Sequence, residues 1–449
     1  MTAYERRTTL ALASILSMRM LGLFMILPVF ALYAQKLPHT TPLLIGIAIG
    51  IYGLTQAILQ IPFGMLSDKW GRKPMIIIGL LLFALGSVIA ATATSITGII
   101  IGRALQGCGA IAAVILALTA DLIREEHRLK TMALLGMTIG LSFVVALVIG
   151  PWLNQWLGVP GLFWLTAVFA GISLILLLTL VPQPITLKVH KDNESNINQF
   201  KRLLKDPQLL RLDVGILVLH MILTALFVVL PLSLQTQLEN SYHSYLYLVV
   251  LLLAIITIIP LIIIGEKYRY LKTLFVGAVA LLGVSQLGLI YWHQSLMGIG
   301  VLLFLFFTAF NLLEASLPSL MSKLAPLKSK GTAMGIYASA QFLGAFLGGV
   351  SGGWLHYHYG IEAVFVFAVG LSLIWLTLAI TMENPPYLSS QLLNVGAIDS
   401  TRANQLIHCL TQVPGVAEVV IFIEEEVAYL KVDRRILDPS ALDNCFLNC

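Results

Sequence analysis

Four ionisable side chains, Arg19, Arg103, His220 and Glu314, fall inside long apolar runs of the sequence. A charge in such a run is costly unless it pairs, meets water or handles a proton. Glu314 is the one carboxylate that the sequence places deep in any run, so it can bind a proton or pair with a cation. His220 titrates near neutrality where water reaches it, and otherwise serves as a hydrogen-bonded packing residue. Arg19 is available to neutralise Glu314 as a static pair. Arg103 needs a partner or water, or it snorkels to an interface about two turns away. A second signal is the loop Gly64-Met-Leu-Ser-Asp68-Lys69-Trp-Gly71-Arg72-Lys73-Pro74. Gly64 permits close helix approach and Gly71 a tight turn, while Asp68 can pair with basic side chains or face a helix N-terminus. Lys69, Arg72 and Lys73 could serve orientation alone, but that role needs neither the glycines nor the aspartate.

The elements that carry these residues follow from composition. The 449 residues are 58% hydrophobic and 11% charged, too apolar for a water-soluble domain. Runs long enough to cross a bilayer are expected near 10–34, 44–67, 74–92, 97–121, 131–155, 161–182, 210–234, 244–265, 271–292, 296–322, 331–357 and 360–382. The first run follows Arg6 and Arg7 and has no convincing cleavage site, so it reads as a span rather than a signal peptide. With both termini cytoplasmic, the membrane-domain loops on that side hold twenty of the 27 lysines and arginines and the tail four more, while only Lys36 lies outside. The net charge of +5 therefore orients the chain and does not point to nucleic acid. Residues 1–182 form a first six-helix bundle and 210–383 a second. The linker 183–209 is either an amphipathic surface helix over 197–204 or a solvated connection. After Asn384-Pro385-Pro386 the membrane pattern stops, and 388–449 reads β-α-β-β-α, with strands at 392–398, 416–424 and 427–433, a helix at 401–412 and a short helix near 440–447. Cys108, Cys409, Cys445 and Cys449 are too scattered for a disulfide framework and form no zinc motif.

The loop at Gly64, Leu66, Asp68, Lys69, Gly71, Arg72 and Lys73 resembles motif A of the major facilitator superfamily. The resemblance implies an all-α membrane fold of twelve transmembrane helices in two six-helix bundles. It also implies a latch in which Asp68, Arg72 and Asp121, at the end of the fourth span, meet the start of the eleventh span in the outward-facing state. Arg103-Ala-Leu-Gln106-Gly107 is similar to motif B, which the family links to proton coupling. Gly150-Pro151 is similar to the antiporters' motif C, although Ala146 replaces an expected glycine, and with Gly107 these residues otherwise serve helix packing. The whole pattern resembles the drug:proton antiporter branch, and the tail resembles the ferredoxin-like and heavy-metal-associated domains. The metal-binding turn of the latter corresponds to Asp399-Ser400-Thr401, which has no thiolate.

The expectation is a monomeric transporter in the cell inner membrane, moving a small lipophilic molecule against protons by alternating access. Chemistry on the substrate, a metal, a cofactor and ATP use are not expected, because no nucleotide or metal motif is present. The rival readings are a facilitator or symporter, or a transporter-derived sensor that signals through the tail.

Overall fold

The computed structural model describes residues 1–183, 196–384, 388–396, 398–423, 426–433, 435–438, 441, 442 and 445. Apolar runs become helices because a segment inside lipid must satisfy its own backbone. The first span is Ala3–Phe24 continued by Leu27–Ala34, the second Pro42–Trp70, the third Arg72–Thr92, and the fourth Ile96–Cys108 continued by Ala112–Leu122. The fifth and sixth share Glu125–Leu180. A linker helix, Asn196–Leu203, precedes the seventh span, Pro207–Gln235, which is followed by His243–Lys267, Leu271–Trp292, Leu296–Leu324, Lys330–Tyr359 and Ile361–Ile380. Side-chain caps start several of these, including Thr41 before Pro42, Ser95, Asp206 before Pro207, and Ser295.

Helix Glu125–Leu180 reverses direction. Gly158 has φ +64 and ψ 172, which interrupts the helical backbone. On either side of it, Ser142 bonds Ser17 and Ser173 bonds Met18, so residues on both arms meet neighbouring positions of the first span. The arms are therefore antiparallel, and the described residues make twelve crossings.

Aromatic residues mark the ends of these helices. Trp152, Trp156, Tyr242, Tyr245, Tyr291, Trp292, Tyr357 and Tyr359 are exposed at the turns opposite the basic loops, as in the belt of a membrane interface. We call these two ends the far face and the basic face.

The two six-helix halves share one hydrophobic core only toward the far face. There, Ile26, Phe30, Ile45, Ile49, Phe143 and Phe163 of the first half join Leu219, Phe227, Phe307 and Phe365 of the second. The basic-face end of the first half packs separately around Leu12, Leu16, Ile76, Ile111, Ile115 and Leu118. Glycines report the same asymmetry. A Cβ on Gly46 would overlap the Gly349 carbonyl, and one on Gly53 the Phe342 carbonyl, so the second and eleventh spans touch backbone to backbone. A Cβ on Gly64, Gly136, Gly140, Gly331 or Gly335, all toward the basic face, would meet nothing within 4 Å. The far face is closed and the basic face open.

The tail forms a three-stranded antiparallel sheet of β1 (Ser389–Asn394), β2 (Val416–Phe422) and β3 (Val427–Val432) in the order β1-β3-β2, with helix Ser400–Gln412 packed on it. β1 begins and ends earlier than the apolar pattern suggests, because its register pairs Ser389 with Val432, and Asn394 with Val427. Ala441, Leu442 and Cys445 are helical, and the rest of the expected final helix lies outside the described residues, as do Pro385 and Pro386. Cys409 and Cys445 are joined as a disulfide with Cα atoms 5.8 Å apart, a single bridge where the scattered cysteines gave no disulfide framework to expect. Their separation of 36 residues is bridged by tertiary packing, which spacing along the chain does not reveal.

Candidate functional site

The polar residues of the membrane domain gather in two clusters, one in each half. In the second half, Gln341 on the eleventh span donates from its amide nitrogen to Glu314 Oε1 at 3.2 Å and to His220 Nε2 at 2.8 Å. Accepting at Nε2 requires the His220 proton to sit on Nδ1, which donates to the Ile216 carbonyl at 3.2 Å. His220 Nε2 and Glu314 Oε2 stand 3.9 Å apart, and Glu314 Oε2 has no other partner among the described residues. Glu314 keeps 32% of its side chain accessible although it lies mid-helix, and Phe310, one turn away, packs on Phe143 of the first half. The side chain therefore borders the space between the halves, with Oε2 itself buried.

Such a cluster can register one proton. Protonation of His220 Nε2 would make that atom a donor, expel the Gln341 amide and turn the imidazole toward Glu314. Protonation of Glu314 would remove the negative charge that holds the amide. Either event rearranges Gln341, on the helix that carries the far-face glycine contact.

The arginines lie in the first half and do not meet Glu314, which corrects the expected Arg19–Glu314 pair. Arg19 is 1% exposed and donates from Nη2 to Gln56 Oε1 and to the Gly109 carbonyl, each at 2.7 Å. That carbonyl is available because the fourth span breaks at Gly109 and Ala110. Arg19 Nε and Nη1 have no hydrogen-bond partner among the described residues. Arg103 is 2% exposed and does not snorkel. It bonds Gln106 Oε1 at 3.1 Å and the carbonyls of Ala48 and Ile49, and Gln106 continues to Ser87. Its guanidinium lies 5.2 Å from the Tyr52 ring centre, and that ring packs on Phe342, next to Gln341. One aromatic contact thus links the first cluster to the eleventh span. Gly107 and Gly150 press against the Tyr52 and Met25 carbonyls, as close packing requires, with Pro151 following in the same helix.

At the basic face, Arg72 is the hub of the motif loop. It reaches Asp68 at 2.5 Å, Asp121 at 3.1 Å and Ser67 Oγ at 2.6 Å. Gly71, at φ +94, makes the turn that puts Arg72 two residues past the end of the second span, a conformation other residues adopt only with strain. Lys73 is buried and donates to the Val181 carbonyl at 2.6 Å, tying off the sixth span, whereas Lys69 is exposed. Asp68 is 61% exposed at its side chain, and its one ion pair among the described residues is with Arg72. In this open arrangement the network, among the described residues, does not reach the start of the eleventh span. Sequence reasoning also missed Glu5, whose carboxylate accepts from Arg124 Nε at 2.9 Å and Nη2 at 3.2 Å.

The tail docks on loops of the second half. Arg269 donates to both Asp433 oxygens at 2.7 and 3.0 Å, Lys431 to the Ala325 carbonyl at 2.6 Å, and the Leu327 amide to Glu418 at 3.0 Å. The Arg269 guanidinium, with a backbone hydrogen bond from Arg435, holds the Asp433 carboxyl below its ordinary value. A depressed acid stabilises the docked form above its undocked pKa, about 3.9, and loses that contribution as pH falls through the lower docked value. We expect the population of docked tail, read from the distance between spin labels placed at Tyr268 and Ile436, to be flat from neutral pH down to about 4 and to fall below it. Asp433→Asn should lower the docked-to-undocked ratio about two- to five-fold at neutral pH, as for a partly screened ion pair.

Two bundles closed at one face and open at the other, with polar clusters midway, define a membrane transporter rather than an enzyme. The Major Facilitator Superfamily profile matches residues 12–349 and 244–413. The inner membrane transport protein YajR of Escherichia coli (strain K12) is 44% identical over 438 residues, covering 97% of this chain and 96% of that protein. The multidrug resistance protein MdtH of Aeromonas salmonicida (strain A449) is 26% identical over 357 residues, covering 78% of this chain and 87% of that protein. A solved D-xylose-proton symporter has the same fold, with a TM-score of 0.67 at 16% identity over 84% of this chain and 98% of its own. The chain belongs to the major facilitator superfamily and is a multi-pass membrane transporter.

Proposed function

We propose that the protein is a proton-coupled exporter of small lipophilic molecules, acting as a monomer by alternating access, with both termini in the cytoplasm. The observation that carries this reading is the Glu314–Gln341–His220 cluster. It supports the reading because the Glu314 side chain borders the space between the halves and lies one hydrogen bond from the helix that seals the far face. The asymmetry of basic loops supports the orientation, which makes the arrangement described here inward-open. Similarity to a multidrug resistance protein supports export, and YajR's description as an inner membrane protein supports the location. The β1-β3-β2 order supports a ferredoxin-like tail, which we read as a docking module for the second half. Arg19 and Arg103 are read as supporting proton coupling from the first half through Tyr52.

The test is transport of a lipophilic dye by purified protein in liposomes under an imposed pH gradient. Flux should accelerate when protons run down their gradient against the dye, and flux indifferent to the gradient would overturn proton coupling.

The motif loop is read as a latch for the outward-open state. With Asp68 largely exposed here, its pairing contributes under about 1 kcal/mol to the inward-open state. Asp68→Asn should therefore weaken the other state and increase labelling of basic-face cysteines relative to far-face cysteines. Equal labelling in variant and parent would count against the latch.

A further inference from the structure

We propose a binding site for a lipophilic monocation, distinct from the Glu314 cluster, in a lateral cavity where the linker helix meets the second, seventh and eleventh spans, with Asp213 as its counter-charge. The cavity has a volume of about 400 Å³, within the range of small-molecule sites. Its walls are almost wholly apolar, and Ile58, Ile61, Leu204 and Leu210 at its mouth are exposed, so it opens toward lipid rather than water.

Into this apolar space projects one carboxylate. Asp213 is 7% exposed, and it makes no hydrogen bond or ion pair among the described residues, its Oδ1 being fully buried without a partner. Ser339, across the cavity on the eleventh span, also has a buried hydroxyl with no partner among the described residues. A buried carboxylate left unpaired is costly, and in a membrane segment such a group marks a site for a partner. The partner that fits is a single positive charge on an apolar body of up to a few hundred cubic ångströms. A zwitterionic phospholipid headgroup fits less well, because its phosphate would approach the same carboxylate.

The position gives the site a use. It lies beside the opening between the halves, and its walls come from both halves and from the linker that joins them. A cation partitioned into the membrane would be collected here before it reaches the central space. This role rests on the export reading, but binding at Asp213 does not require proton coupling.

The probe is tetraphenylphosphonium, measured by equilibrium binding to the full-length protein in phosphatidylcholine nanodiscs, with neutral triphenylphosphine oxide as the uncharged control. Asp213→Asn should weaken tetraphenylphosphonium binding about tenfold or more and leave the neutral probe unchanged, while Asp213→Glu restores most of the affinity. Ala57→Trp, which fills the cavity, should abolish the Asp213-dependent part of tetraphenylphosphonium binding. Unchanged tetraphenylphosphonium binding in Asp213→Asn, or no binding to the parent protein, overturns the site. Because this assay uses no gradient, failure of proton-driven flux with intact Asp213-dependent binding would sink the coupling mechanism and leave the site standing.

Discussion

Glu314→Gln should abolish gradient-driven transport while leaving gradient-independent exchange of the same dye. The substitution keeps the length of the side chain and an oxygen that can accept from Gln341, so the cluster's packing at 3.2 Å is preserved. What it removes is the group that can exchange a proton. Coupled flux should fall at least about tenfold, equivalent to a loss of 1.4 kcal/mol or more in the coupled step. Exchange of dye at equal pH on both sides should persist within about two-fold, a difference under 0.5 kcal/mol. His220→Gln should give a smaller loss, because Gln can still bond Gln341 and Glu314 still titrates. If Glu314→Gln retained full gradient-driven flux, the proton would have to be carried elsewhere, and the first-half cluster around Arg19 would have no carboxylate of its own to offer among its hydrogen-bond partners.

Parts of this picture were legible in the sequence because they depend on local or cumulative properties. Span lengths and the crowding of lysine and arginine into alternate loops follow from hydropathy and charge alone, and they agree with the twelve crossings. Gly71 and Arg72 were legible because a turn and a basic cluster are adjacent in the chain. Pairings across the fold were not legible. Arg19 looked like a counter-charge for Glu314, but apolar runs carry no information about which half a side chain faces, and Arg19 turns instead to a carbonyl released by the break at Gly109. Asp213 lies close to the start of its span, where a charge usually reaches water, so nothing in the sequence marked it as buried. Glu5 and Arg124 are 119 residues apart, and Cys409 and Cys445 meet only after helix and sheet have packed. Lys73 read as part of the motif loop's basic cluster, and nothing along the chain showed that its ammonium would be buried on the Val181 carbonyl at the end of the sixth span.

The second large effect concerns the far-face seal. Gly349→Val should shift the protein out of the arrangement described here, whereas Gly335→Val on the same helix should favour it. At Gly349 an added Cβ would overlap the Gly46 carbonyl, which is backbone and cannot swing aside, so the second and eleventh spans must separate. At Gly335 the same Cβ meets nothing within 4 Å, and it becomes an obstacle only when the basic-face ends close. Both substitutions change helix propensity equally, and the helix persists in either state, so that contribution cancels from the balance between states. Overpacking costs about 1–3 kcal/mol, which corresponds to a shift of roughly 5- to 150-fold in the ratio of states. Cysteine labelling from each side of the membrane reads that ratio. Gly349→Val should protect basic-face positions and expose far-face ones, and Gly335→Val should do the reverse. Shifts of the same sign from both variants would mean that the eleventh span does not rock between two closures, and alternating access would have to run through another pair of helices.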